Sequence, residues 1–274
     1  NQAQERQLKL RNNFLPLAKP HITDSEIRAV SKVMKSGHLT TGPKVTEFEN
    51  RIAEYIGKDT SAVALNSCTA GLYLSLLAHG IGKGDEVIMP TWTFVACGHT
   101  VIWTGAKPVF CDIDGSSLNI DFRKINSLIN SKTKAIMPVH FAGYPCEMEA
   151  ITEIAKKHKL IIIEDAAHAI GTKYKGEKVG NFGNPTVFSF YATKNLTCAE
   201  GGMVVSPDRK IIEKIRKLSY FGISKEAHNR YERRGTWYYQ IQELGYKYNM
   251  DSLHAAIGII QLKKLDKMNI RRRH

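Results

Sequence analysis

The feature that most constrains this chain is a repeated switch of hydrophobic period. Short apolar runs at 62–65, 86–89, 108–111, 135–139 and 160–163 alternate with stretches whose apolar residues recur at helical spacing, at 69–79, 94–103, 121–130 and 147–159. In the last of these, Met148, Ile151, Ile154 and Ala155 fall on one helical face. Two further runs, 187–191 and 202–205, precede a helical pattern at 208–219. Strand–helix alternation of this kind predicts an α/β fold: a mostly parallel central sheet with helices on both faces. A final helical pattern over 252–273 carries Leu253, Ala256, Ile257, Ile260, Leu262 and Leu265 and runs into Arg271-Arg272-Arg273 without a breaker. The expected organisation is a tail at 1–14, a large α/β domain at 15–250, and at 251–274 the start of a helix leading towards a further small domain.

Composition narrows the class. With 274 residues, 43% hydrophobic and 24% charged, the chain can bury a substantial core and is not a disordered or collagen-like sequence. No apolar run approaches the roughly 18 residues that a spanning helix needs, so no membrane partner is expected. Five scattered cysteines without a C-x-x-C pair read as reduced thiols, which suits a cytoplasmic protein. The formal charge of +13 is uneven: from Asp208 onward there are 16 Lys and Arg against 7 Asp and Glu. This is either a solvated basic face or a site for an anionic partner; no nucleic-acid-binding motif accompanies it, so nucleic acid is not expected.

In an open α/β sheet ligands bind at the carboxyl ends of the strands. Asn66-Ser67-Cys68-Thr69-Ala70-Gly71 follows one strand and opens a helix, which makes it an ordinary N-cap or an anion cradle. It lacks the glycine patterns of a triphosphate or dinucleotide loop, so a single phosphate fits better. Ile161-Ile162-Ile163-Glu164-Asp165 is an apolar strand ending in two carboxylates, with His168 three residues on. Asp165 is either a helix cap or the partner of a buried cation; a metal is not expected, since no second His or Cys stands at ligand spacing. Phe188-Ser189-Phe190-Tyr191-Ala192-Thr193-Lys194 takes a strand directly into a lysine. Lys194 is either a surface residue or a desolvated amine with nucleophilic character. Taken together, a phosphate cradle, a strand-end Asp and a strand-end Lys are the parts that pyridoxal 5'-phosphate (PLP) requires.

The stretches 36–44 (SGHLTTGPK), 84–88 (GDEVI), 105–109 (GAKPV), 164–168 (EDAAH), 188–202 (FSFYATKNLTCAEGG) and 245–249 (GYKYN) occur in order. They resemble the DegT/StrS family of PLP-dependent sugar aminotransferases, from about Leu15 to the end of the chain. The similarity is strongest to the branch that aminates C4 of UDP-4-keto sugars. The resemblance implies the aspartate-aminotransferase-like PLP fold, with a small C-terminal domain mostly outside this chain. It implies Lys194 as the Schiff-base lysine and Asp165 as the partner of the pyridinium nitrogen. It places His168 on the cofactor's phenolic oxygen and Phe94 on its ring face, with Trp92 as second choice. It gives the phosphate to the hydroxyl of Ser67, the backbone of Cys68 and Thr69, and Ser189. It also implies a homodimer with shared active sites, in which Asn249 reaches the phosphate of the other subunit. Glutamate would be the amino donor and a nucleotide-linked keto sugar the acceptor, for cell-surface polysaccharide synthesis. C3 amination, a GDP- or dTDP-sugar, and a non-catalytic binding relative are alternatives. A dehydratase of the same fold has His at the lysine position, and Lys194 argues against it. Many relatives have Gly or Ala where this chain has Cys68, a change that a backbone contact tolerates.

Overall fold

The computed structural model describes residues 14–16, 18–223 and 240–273. Two helices precede the sheet: α1 (Asp24–Ser36) and α2 (Pro43–Ile56). The strands are β1 (Ser61–Leu65), β2 (Glu86–Pro90), β3 (Lys107–Cys111), β4 (Thr133–Ile136), β5 (Ile161–Ile162), β6 (Glu164–Asp165), β9 (Thr186–Ser189) and β10 (Gly202–Ser206), with β7 (Lys173–Tyr174) and β8 (Glu177–Lys178) forming a separate small hairpin. Between and after them lie α3 (Cys68–Ala78), α4 (Val95–Trp103), α5 (Phe122–Leu128), α6 (Met148–His158), α7 (Arg209–Leu218) and α8 (Ser252–Arg273).

The strands form two four-stranded sheets, β3-β2-β4-β5 and β1-β10-β9-β6. The two meet along one run of backbone. Ile163 N–H donates to Ile136 O (3.0 Å) and Asp165 N–H to Pro138 O (2.9 Å), while Glu164 N–H donates to Pro185 O (2.9 Å). The run 161–165 thus pairs with β4 on one side and with β9 on the other. Every neighbouring pair is parallel except those made by β10, which is antiparallel to both β9 and β1.

The apolar runs read as continuous because both faces of the sheet are covered. Successive side chains alternate between faces. Val63, Val87, Met89, Ala135, Ile163, Val187 and Val204 pack under α3, α4 and α7. On the other face, Ala62, Ala64, Phe188, Met203 and Val205 meet α2 and α8. Ile88, Ile136 and Ile162 meet α5 and α6. All six helices that follow the first strand begin within a residue of the sequence expectation; α1 and α2 were not anticipated. Their signals are caps rather than periodicity: Thr23-x-x-Glu26 at the start of α1, with Gly37 in the left-handed region (φ 75°) at its end, and Pro43 in the first turn of α2.

α8 lies against α1 and α2 and contributes Ala255, Ile259 and Leu265 to the core that holds Phe48 and Phe190. A buried carboxylate fastens the α1 side. Glu26 takes hydrogen bonds from Thr23 N (2.9 Å), Thr23 Oγ1 (2.6 Å) and Gln261 Nε2 (2.8 Å) and an ion pair from Lys264. Burial raises the Glu26 carboxyl, but Lys264, Thr23 and Gln261 outweigh it and bring its pKa down to about 2. A depressed carboxyl stabilises the fold above its unfolded pKa and loses that contribution as pH falls towards the folded value. Glu26→Gln should therefore destabilise the fold by about 2 kcal/mol at neutral pH. The gap between variant and wild type in thermal melting should close as pH falls from about 4.5 to about 2. A constant gap across that range would show that the charge of Glu26 is not what joins α1 to α8.

Candidate active site

The carboxyl ends of β1, β2, β6 and β9 open on the same edge of the sheet, and β10, being antiparallel, starts there. β1 leads into Ser67, the N-cap of α3, whose Oγ accepts from Ala70 N (3.1 Å). Among the described residues the N–H groups of Cys68 and Thr69, in the first turn of α3, have no acceptor. Two free amides at a helix start form an anion site. Gly202 passes directly beneath them: a Cβ there would lie 2.3 Å from Ser67 C and 2.5 Å from Cys68 N. Ser189, buried, pairs across the sheet with Gly202.

β6 delivers Glu164 and Asp165 to opposite faces. Glu164, fully buried, is held by Asn184 Nδ2 (3.0 Å) and by His140 Nε2 (2.9 Å). Cys146 N–H donates to His140 Nδ1 (3.1 Å), so the imidazole proton sits on Nε2 and is donated to the carboxylate. Asp165, 5% exposed, faces α4. Its Oδ1 accepts from Ala167 N (3.0 Å) and its Oδ2 from the thiol of Cys97 (3.0 Å). Cys97 in turn accepts from Thr93 Oγ1 (3.1 Å). Thr93, Cys97, His140 and Asn184 were not picked out from the sequence; nothing in their spacing signals these contacts.

Lys194 lies in the connection between β9 and β10, half-buried, with its N–H on Tyr191 O (3.0 Å). Burial pulls its pKa below the ordinary lysine value, and the charges of Cys68 and Asp165 oppose that pull. The shift moves the amine towards its neutral, nucleophilic form. The same three groups interact from the other side: burial, Asp165 and Lys194 all act on the Cys68 thiol, and burial together with Lys194 lowers the His168 pKa against the pull of Asp165. Lys194, Asp165, Cys68 and His168 thus share one electrostatic neighbourhood.

The remaining expected residues rim this edge. Phe94 is the N-cap of α4 and 73% exposed; Trp92, 52% exposed, meets Phe141 edge-on at 5.9 Å. The backbone of Asn249 bridges Leu65, immediately before the cradle, and its amide donates to Thr41 Oγ1 (2.6 Å) while its Oδ1 accepts from Lys247 (2.7 Å). Among the described residues no cluster of His, Cys, Asp or Glu is placed to hold a metal ion, and no helix is long and apolar enough to cross a membrane.

The sequence profile of the DegT/DnrJ/EryC1/StrS aminotransferase family matches residues 20–274. The chain belongs to that family. The spore coat polysaccharide biosynthesis protein SpsC of Bacillus subtilis is 51% identical over 262 residues, covering 96% of this chain and 67% of that protein. The PMP form of the putative sugar aminotransferase Spr1654 from Streptococcus pneumoniae superposes with a TM-score of 0.89 at 34% identity, over 95% of this chain and 70% of that one. Helicobacter pylori PseC, an aminotransferase involved in the biosynthesis of pseudoaminic acid, gives 0.84 at 33% identity, over 91% and 64%. The chain spans about two thirds of the length of these relatives. Family members are PLP-dependent sugar aminotransferases. The α/β fold expected from the resemblance, with a mostly parallel sheet and helices on both faces, is the one observed. The residues present fit the cofactor: free amides at the start of α3 for a phosphate, a buried carboxylate for a ring nitrogen, and a partly desolvated amine.

The tightest contact in this cradle is the approach of Gly202 to Ser67 and Cys68. Gly202→Ala should push the start of α3 away from β10, weakening PLP binding at least tenfold and lowering the melting temperature. A variant that binds PLP at wild-type affinity would show that the cradle does not depend on that approach.

Proposed function

We propose that the protein moves an amino group from L-glutamate to a keto sugar carried on a nucleotide diphosphate, at C4 of a UDP-4-keto-6-deoxy or related sugar, in the cytoplasmic synthesis of a cell-surface polysaccharide. The observation that carries this reading is Lys194: a half-buried amine at the carboxyl end of β9, within electrostatic reach of Asp165 and of the cradle. Bound PLP supplies a carbonyl that takes up the amino group and a ring that delocalises the resulting charge. Lys194 would hold the cofactor covalently and would serve as the group that takes up and returns the proton in both halves of the exchange. Asp165 holds the ring nitrogen in its protonated form. His168 donates to the phenolic oxygen, and Phe94, or failing it Trp92, covers the ring face. Ser67, the N–H groups of Cys68 and Thr69, and Ser189 bind the phosphate. The basic surplus from Asp208 onward suits a nucleotide diphosphate. The polysaccharide role of SpsC and the amino-sugar role of PseC support the substrate class.

Borohydride reduction of the holoenzyme should fix PLP to Lys194 alone, as read by peptide mass spectrometry, and Lys194→Ala should abolish transamination while the fold persists. Label on another lysine, or an active Lys194→Ala enzyme, would end the assignment. Asp165→Asn should keep PLP but slow single-turnover conversion with glutamate by at least a hundredfold, because a neutral amide does not stabilise a protonated ring nitrogen. An unimpaired rate would remove Asp165 from the mechanism.

The reading extends to a homodimer in which Asn249 serves the partner's site. Lys194→Ala and Asn249→Asp full-length proteins, each inactive, are refolded together. A mixed dimer then has one site with both lesions and one with neither. Random mixing makes about half the dimers mixed, each with one live site of two, so activity should return to about a quarter of wild type. If activity stays at the level of the separate variants, Asn249 serves its own subunit.

A further inference from the structure

The carboxylate assigned to the ring nitrogen is fixed by one contact that the reaction itself does not explain. Asp165 Oδ1 is held from its own loop by Ala167 N–H, but Oδ2 is held from another element, by the Cys97 thiol in the first turn of α4. Cys97 is fully buried and is itself aimed: Thr93 Oγ1 donates to its sulfur, leaving the S–H to point at Asp165. Thr93 stands between Trp92 and Phe94, so the segment that carries the candidate ring-stacking aromatics also carries the chain that orients the carboxylate. A carboxylate pinned at both oxygens from two directions cannot rotate about its χ2.

We infer that Cys97 is a positioning residue for transamination: Thr93 and Cys97 form a hydroxyl-to-thiol-to-carboxylate chain that fixes the plane of Asp165 towards the cofactor's ring nitrogen. This rests on the reading of Asp165 given above. Burial and the charge of Asp165 push the Cys97 thiol well above the ordinary range, which favours the S–H form that donates. A thiol is also a weak donor. It orients Asp165 while drawing off little of the negative charge that a protonated ring nitrogen needs opposite it. The side-chain hydrogen bonds of Cys97 go to Thr93 and Asp165 rather than to the cradle amides or the lysine, so its loss should act on the rate more than on cofactor affinity.

The test has an arm without cofactor and an arm with it. In the apo protein, the infrared S–H band of Cys97, isolated as the difference between wild type and Cys97→Ala, should move to higher frequency in Asp165→Asn, because a neutral acceptor binds the thiol less strongly. An unmoved band overturns the contact. In the full-length holoenzyme, Cys97→Ala should slow single-turnover conversion with glutamate about tenfold while its PLP dissociation constant stays within about twofold of wild type. Cys97→Ser, which restores a donor at the same place, should recover the rate to within about threefold of wild type. A merely structural role predicts the reverse order, since a buried serine fills the thiol site no better than alanine and adds a polar atom; a Cys97→Ser enzyme as slow as Cys97→Ala therefore overturns the inference. So does a Cys97→Ala enzyme at the wild-type rate. The failure of the underlying reading looks different: Asp165→Asn would itself convert at the wild-type rate, whatever the Cys97 variants do.

Discussion

Everything at the carboxyl edge depends on how the run 161–165 is held. Its backbone joins the two halves of the sheet, bonding to β4 through Ile163 and Asp165 and to β9 through Glu164. Because side chains alternate, the last two residues of this buried run put one carboxylate on each face. An unpaired buried carboxylate would cost several kcal/mol. Glu164 escapes that cost through His140 and Asn184, and Asp165 through Ala167 N–H and the Cys97 thiol. The two sets of partners are unequal in strength. Glu164 has a dedicated imidazole and is fully buried, which suits a fastening. Asp165 has one amide and one weak thiol donor, and so retains charge to spend on a ligand.

The antiparallel strand β10 has a comparable effect on the lysine. Parallel neighbours need a long crossover, whereas antiparallel neighbours can be joined directly. The short connection from β9 to β10 therefore keeps Lys194 at the sheet edge, close to where β9 leaves the core. The same reversal brings the first residue of β10, Gly202, to the edge where β1 hands over to α3. Its lack of a Cβ lets the backbone of Ser67 and Cys68 lie on the strand. One change of strand direction thus places both the amine and the floor of the candidate anion cradle at the start of α3.

This division explains what could be read from the sequence. The strands were legible because covering both faces turns alternation into unbroken apolar runs, and the candidate site residues Ser67, Asp165 and Lys194 stood out because each follows such a run, with Ser189 inside one. α1 and α2 were not, since their evidence is a cap at Thr23–Glu26 and a proline at 43 rather than a run beside a strand. The supports of the site were hidden for a different reason. Cys97 reaches Asp165 across 68 positions of chain, and His140 reaches Glu164 across 24. In one dimension Cys97 reads as a small core residue and His140 as a strand-end polar group. Only the register of β2, β4 and β6 turns them into partners of a carboxylate.

The electrostatics of Lys194 follow from the same geometry. Burial alone would drive the amine towards its neutral form, and Cys68 together with Asp165 opposes that shift. In the proposed mechanism the lysine would have to accept a proton as well as attack a carbonyl, so an amine with too low a proton affinity would lose half of its work. The setting of Asp165 therefore bears on two partners at once: its charge opposes the shift of the lysine, and in the proposed mechanism its orientation would serve the ring nitrogen. A group that turned the carboxylate would disturb both, which is the ground for the positioning role proposed for the buried thiol of Cys97.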